Sequence, residues 1–341
     1  MGVRITPMNS QPVGIGNTFV MHSTSAESNV LNVAASLGMR TKLLTRFVKD
    51  SPIAAFIKGD LRRRNIEFEG PDIPQQGPWG CRHQFNIADT GYGVRGPRVY
   101  NDRAGEVGRD ICASDFDLKR IFVDEGVEIV HLSGLFAAMS PTTGELCLRL
   151  AELAHDNGAK ISFDLNYRAS FWKGREAELR EVFTGIASRA DILIGNEEDF
   201  QLALGVAGPE AGGKDLAGKI DSFKEMILRV SRQFPNASTF ATTLREVINA
   251  SQHNWGAIMR MNGEWSVAQP RTIPVLDRIG GGDGFVAGLL YGILRGFSPE
   301  DCLHFGWATG AMAVTMEEDF ATPLDEEQVW SVWNGNARIK R

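Results

Sequence analysis

The residues best suited to chemistry cluster in one stretch, Asp277-Arg278-Ile279-Gly280-Gly281-Gly282-Asp283-Gly284-Phe285, which runs into the apolar residues 286–294. A helix start leaves N–H groups unsatisfied and carries partial positive charge, so it is a ready seat for an anion. Glycines let a ligand approach the backbone because no Cβ intervenes. A carboxylate at such a seat repels phosphate, so Asp283 calls for a reason. Taking a proton from a hydroxyl during phosphoryl transfer is one; a plain N-cap in a tight turn is the alternative.

Other chemistry-bearing groups fall in short polar runs. Asp164-Leu165-Asn166-Tyr167-Arg168 and Gly195-Asn196-Glu197-Glu198-Asp199 each follow an apolar stretch. An Asn with an acid three residues on, at a helix start, also reads as capping. In Thr243-Leu244-Arg245-Glu246, Arg245 suits a phosphate, or an ion pair with Glu246 or Glu225. In Arg98-Val99-Tyr100-Asn101-Asp102-Arg103, an arginine suits a carboxylate, which it grips in bidentate fashion, or pairs with Asp102 or Glu106. Arg62-Arg63-Arg64 reads as a solvated helix end. His131 reads as a core or strand-edge histidine, with no second histidine or cysteine at ligand spacing.

The elements that must position these groups follow a βα grammar from residue 127 onward. Strands are expected at 127–133, 160–165, 191–195 and 239–246. Helices are expected at 141–157, near 175–188, from Glu197, and from about Lys214 to Gln233. Strand, crossover helix, strand implies a parallel sheet covered on both faces, with ligands beyond the carboxyl ends of the strands. Asn262-Gly263 between apolar runs predicts a hairpin. Before residue 127, helices are expected at 25–38 and 51–65. Gly/Pro-rich residues 70–103 suggest a small β-element, with strand pieces at 81–88 and 98–100. The small residues of Phe305 to Ala313 suit tight helix packing or an adenine slot.

With 341 residues, 43% hydrophobic and 23% charged, the chain has ordinary globular composition. Net charge −6 gives no basic footprint for nucleic acid. Four scattered cysteines form no C-x-x-C pair, which argues against a disulfide framework or zinc site. No apolar run is long enough to span a membrane, and a cytoplasmic protein is expected. No P-loop motif is present, and Gly14-Ile15-Gly16 lacks the following helix of a dinucleotide fingerprint.

The run from Asp277 to Gly292 resembles the C-terminal signature of the ribokinase-like (PfkB-type) sugar kinases. Its Asp-Arg-x-Gly-Gly-Gly-Asp form is similar to that of the 2-keto-3-deoxygluconate kinases, as are Asp164 to Arg168 and Thr243 to Glu246. The resemblance covers nearly the whole chain. It implies an α/β fold: a ribokinase-like three-layer sandwich with a mostly parallel central sheet and a small β-sheet lid. Residues 1–341 would form a single kinase domain, with the lid built from about 8–24 and 70–103. Arg4-Ile5-Thr6-Pro7 resembles the end of the family's first strand, so the chain is expected to start inside that strand.

By the same resemblance Asp283 is the catalytic base, and Gly280, Gly281 and Gly282 form the anion hole. Asn29, Tyr100, Arg103, Asn166 and Arg168 contact the substrate. Asn29 follows a segment in which His22-Ser23-Thr24-Ser25 stands where relatives have paired glycines. Asn196, Thr243, Arg245, Gly280 and Gly282 serve ATP. Asp199 organises water around Mg²⁺, with Glu197 and Glu198 as alternatives. The implied reaction is ATP-dependent phosphorylation of the terminal hydroxyl of 2-keto-3-deoxygluconate, with a homo-oligomer through the lid. The alternatives are a kinase for another small sugar, such as fructose or ribose, and a catalytically silent sugar-binding relative.

Overall fold

The computed structural model describes residues 1–210 and 215–338. Strand β1 (Gly2–Pro7) runs antiparallel to β2 (Phe19–Thr24). Helix α1 (Ala26–Ser36) starts in a reciprocal cap, where the Ser25 hydroxyl accepts from the Ser28 amide and the Ser28 hydroxyl from that of Ser25. Strands β3 (Lys42–Leu44) and β4 (Phe47–Val48) lead to α2 (Pro52–Arg63), where Ser51 caps and Pro52 takes the first helical position. Strands β5 (Glu67–Glu69) and β6 (Asp72–Ile73) pair parallel with β3 and β4. Strands β7 (Phe85–Ala88) and β8 (Val99–Asp102) complete a four-stranded sheet in the order β2-β1-β7-β8.

This part of the chain departs from expectation in three ways. The small sheet takes in residues 2–7 as an inner strand, whereas Met8–Ser10 form a 3-10 turn. The strand expected from Cys81 begins only at Phe85, because Arg82 bridges Glu106 instead of continuing a ladder. The arginine run at the end of α2 is not wholly solvated. Arg64 is buried, donating to Asn32 Oδ1 and the Ser28 carbonyl at 2.7 Å each and lying 3.6 Å over the Phe320 ring.

From residue 129 the chain builds the central sheet. The order along the sequence is β9 (Ile129–Ser133), α3 (Gly134–Ala137), α4 (Pro141–Asp156), β10 (Lys160–Asp164), α5 (Ala169–Trp172) and α6 (Glu176–Ala187). Then come β11 (Ile192–Ile194), α7 (Glu197–Leu204), α8 (Ile220–Gln233), β12 (Thr239–Asn249), β13 (Gln252–Met261) and β14 (Glu264–Pro274). Helices α9 (Gly281–Arg295), α10 (Pro299–Ala313) and α11 (Glu326–Trp333) close the chain. Lys214, the expected start of α8, lies outside the described residues. The sheet order is β14-β13-β12-β11-β10-β9, parallel from β9 to β12 and antiparallel beyond. Asn262 and Gly263 both take positive φ (51° and 91°), as a two-residue hairpin requires.

The strand alternation sorts side chains into two cores. Leu193, Phe240 and Ile258 face the layer of α4, α6, α7 and α8, whereas Ile192, Ile194, Ala241, Ala257 and Met259 face α1, α9 and α10. Both faces being covered, the short parallel strand β11 is apolar throughout. Each fully buried phenylalanine contributes about 1.5–3 kcal/mol relative to exposure. Helices α9 and α10 meet closely: Thr309 donates to the Gly284 carbonyl at 2.7 Å, and a Cβ on Gly288 would lie 2.0 Å from the Thr309 hydroxyl. The small residues of α10 thus serve tight packing.

Candidate active site

The carboxyl ends of β10, β11 and β12 converge with the starts of α1 and α9. Gly280, in the left-handed region at φ 84°, turns the chain into α9. A Cβ there would lie 1.9 Å from the Asp319 carbonyl, so only glycine fits. A Cβ on Gly282 would meet nothing within 4 Å, because that position faces open space. No side chain caps α9, and among the described residues the amides of Gly280, Gly281 and Gly282 find no acceptor. Free amides, a helix start and open space together suit an anion.

Asp283 sits half-buried in the first turn of α9. The Asn29 amide donates to its Oδ2 at 2.8 Å, tying α1 to α9. Burial pushes the Asp283 carboxyl up to about 7. The Asn29 hydrogen bond and Arg168 pull against that, while Asp319 and Glu27 add to it. A carboxylate so placed holds or releases a proton near neutrality. Asp164 at the end of β10 is also raised well above the usual range, by burial and then by Asp199 and Asp283.

The loop after β10 carries Asn166 at φ 36°, with its Oδ1 buried and unpartnered. Arg168 is exposed and donates to the Tyr167 carbonyl at 2.7 Å. Asn196 and Asp199 cap α7 reciprocally, each side chain accepting the other's amide at 2.8 Å. Asp199 also accepts from the Tyr167 amide at 2.8 Å, so it binds the β10 loop to α7. Burial lifts it to about 6 against these hydrogen bonds.

Arg245 on β12 lies near Arg278 and Arg168, and none of the three forms an ion pair among the described residues. The alternative pairing of Arg245 fails: Glu246 accepts from Asn254 and Glu225 faces Arg229. Arg245 keeps surface exposure; partial loss of water, then the neighbouring Arg278 charge, lower it. Thr243 sits half-buried on the same strand, opposite Ala257. Cations held together without partners fit a polyphosphate, and the nearby oxygens of Glu197 and Asp199 are of the kind a hydrated Mg²⁺ takes.

Two residues expected near the substrate lie on and beside the small sheet. Tyr100 is half exposed on β8. Arg103 pairs with buried Glu106 at 2.9 Å and lies 5.4 Å from the Phe171 ring, while Asp102 is taken by Arg82.

A buried ion network anchors the turn. Arg4 of β1 pairs with both Asp277 and Asp319. Asp277 accepts from the Ile279 amide at 3.0 Å, and Asp319 from the Thr24 hydroxyl at 2.8 Å. Burial would raise Asp319, but Arg4 overrides it and holds the carboxyl far below the usual range. The Ser23-Thr24-Ser25 segment is fastened as well, since the Ser23 amide and hydroxyl both donate to Asp60.

A family model described as pfkB family carbohydrate kinase matches residues 238–324, the hairpin, the glycine turn and α9–α10. The chain is 25% identical to the 2-dehydro-3-deoxygalactonokinase of Haloferax volcanii, over 99% of this chain and 96% of that one. It is 27% identical to the 5-dehydro-2-deoxygluconokinase of Clostridium perfringens, over 92% and 85%. The crystal structure of a 2-dehydro-3-deoxygluconokinase from Thermotoga maritima superposes with a TM-score of 0.87 at 25% identity, covering 98% of this chain and 96% of that one. This chain is a phosphotransferase similar to the PfkB carbohydrate kinases.

The kinase's fold is the ribokinase-like α/β architecture, as the resemblance of its motifs implied. Sequence reasoning gave no role to four groups at its site: Arg4, Asp164, Arg278 and Asp319. A signal existed for Arg4, a lone cation in an otherwise apolar strand that must find a carboxylate. For Arg278 it was adjacency to the glycine turn. Asp164 and Asp319 gave none beyond their place in polar motifs, because their importance lies in burial.

Proposed function

We propose that this kinase transfers the terminal phosphoryl group of ATP to the far hydroxyl of 2-keto-3-deoxygluconate. The observation that carries the reading is Asp283: a carboxyl poised near neutrality at a helix start whose first amides are free. Asp283 takes the hydroxyl proton, and Asn29 orients its carboxylate. The amides of Gly280, Gly281 and Gly282, with Arg168, hold the charge that develops on the transferred group. Arg245, Asn196 and Thr243 serve the nucleotide side, and Arg278 joins Arg245 there. Mg²⁺, when bound, neutralises phosphate oxygens; Asp199 positions its water while holding α7 to the β10 loop. The names of the three relatives described above, each a kinase of a keto-deoxy sugar acid, support an acidic substrate. Asn166, with its orphaned oxygen, faces that substrate.

The four-stranded sheet is proposed as the lid over the sugar, with Tyr100 and Arg103 brought to the carboxylate as it closes. Its exposed apolar side chains, Phe19, Met21, Val99 and Tyr100, favour association with a second copy. The location proposed is the cytoplasm.

The test is ATP turnover with Mg²⁺ on 2-keto-3-deoxygluconate, its galactonate epimer, fructose, ribose and gluconate, with Asp283→Asn beside the parent. Turnover on the keto-acids that falls about 10²–10⁴-fold in Asp283→Asn supports the reading. Turnover on a neutral sugar alone overturns the substrate. Saturable binding of a keto-acid without turnover overturns the chemistry.

A further inference from the structure

Behind the site, a set of buried polar groups joins three segments that are far apart in the chain. Arg64, just past the end of α2, is 8% exposed, and Ser23, Ser28, Asn32 and Asp60 around it are buried as well. Its Nε donates to Asn32 Oδ1 and its Nη2 to the Ser28 carbonyl, each at 2.7 Å. Its Nη1 stands 3.4 Å from the Ser23 hydroxyl and 3.9 Å from Asp60. Asn32 carries the linkage further, because its amide donates to the Ala321 carbonyl at 2.7 Å and to the Thr322 hydroxyl at 2.8 Å. The guanidinium also covers the Phe320 ring at 3.6 Å. Burial pushes Arg64 down to about 10, so it keeps its charge at neutral pH.

Taking a guanidinium out of water is costly, and an apolar side chain would fill the same space without that cost. What the guanidinium supplies is geometry. It is planar with donors in fixed directions, so two short bonds made at once admit a single placement. Its two acceptors, Ser28 and Asn32, flank Asn29 on α1. Residues 319–322 lie against the start of α9, the Asp319 carbonyl occupying the place that a Cβ on Gly280 would take. The hydrogen bond from Asn29 to Asp283 therefore joins two elements that Arg64 and Asn32 fasten together from behind.

Taking Asp283 as the base, as proposed above, we infer that Arg64 is a positioning residue for it: the guanidinium locks α1 onto residues 319–322 and so holds the Asn29 amide against the Asp283 carboxylate. Arg64 acts through Asn29, not on the reacting atoms. When the lock loosens the amide drifts, and a carboxylate that loses a donor is harder to ionise.

The test is the titration of Asp283 in the full chain, read by carboxyl ¹³C NMR with Asp283→Asn as the assignment control, and separately by the pH profile of kcat. Arg64→Met fills the space without donors, and Arg64→Lys keeps the charge without the fork. The charged groups that face Asp283, namely Asp164, Asp319, Glu27 and Arg168, stay in place in both. Both variants are expected to move the Asp283 midpoint upward from about 7 by at least about 0.5 pH, as Asn29→Ala does. They should lower kcat at pH 7 while leaving KM for ATP within about twofold of the parent. Adding Arg64→Met to Asn29→Ala should move the midpoint no further. A parental midpoint in Arg64→Met overturns the inference, whatever happens to stability. A shift in Arg64→Met that Arg64→Lys restores in full also overturns it, because the effect is then one of charge. If Arg64→Met does not fold, Asn32→Ala is read in the same way, with the same two outcomes for the midpoint. The NMR midpoint needs no turnover, so an absence of activity on every sugar overturns the proposed reaction and leaves this inference to be decided by its own readout.

Discussion

Asp283 has properties that pull against each other. Its raised carboxyl makes it a base that is half ionised near pH 7, so kcat/KM is expected to climb with pH through about 7 and then level off. The same shift acts on folding with a definite sign. Between the ordinary value of 3.8 and about 7, the folded chain holds a proton that the unfolded chain has released. Stability therefore falls as pH rises across that window, by a few kcal/mol in all. Asp283→Asn, which has no charge to bury, should unfold at a higher temperature than the parent at pH 8, with the gap shrinking toward pH 5. Thermal scans at the two pH values decide this, and a constant gap would refute the cause given. Arg4 instead stabilises the fold through its charge. Arg4→Met leaves Asp277 and Asp319 facing each other in a dry interior, and a loss of about 3–5 kcal/mol is expected in denaturant unfolding.

Among the elements, the start of α9 offers a paired test because two adjacent glycines there have different reasons to exist. Gly280→Ala forces a Cβ into the Asp319 carbonyl at a positive φ, so both stability and turnover should collapse. Gly282→Ala meets nothing in the fold, and alanine suits a helix better. Its melting temperature should hold or rise slightly while kcat drops at least about tenfold, because the methyl enters the space proposed for the phosphoryl group. A Gly282→Ala enzyme with full kcat would remove the amides from the mechanism. The βα rhythm and the Asn262-Gly263 hairpin were both legible in the sequence, because period and turn chemistry are local. The burial of Arg64 was not, since its partners Asn32 and Phe320 lie far along the chain. The place of residues 2–7 was equally hidden. A short strand pairs with whatever edge the tertiary fold presents, and here it lies between β2 and β7.

For the whole molecule, the outer strands β2 and β8 expose Phe19, Met21, Val99 and Tyr100, apolar side chains expected to bring two copies together. Light scattering should find a dimer for the parent and a monomer for the Phe19→Lys, Val99→Lys double variant. A monomeric parent would dispose of the idea. The same sheet carries Arg4, whose guanidinium is fastened to the two carboxylates that frame the glycine turn. If that sheet closes over a ligand as proposed, Arg4 and its bridges are the pivot about which it rotates. A rotation so constrained does work on the residues where the anion seat begins. Occupancy under the sheet and occupancy at the start of α9 then become linked equilibria, in which each ligand must alter the affinity of the other by an identical factor.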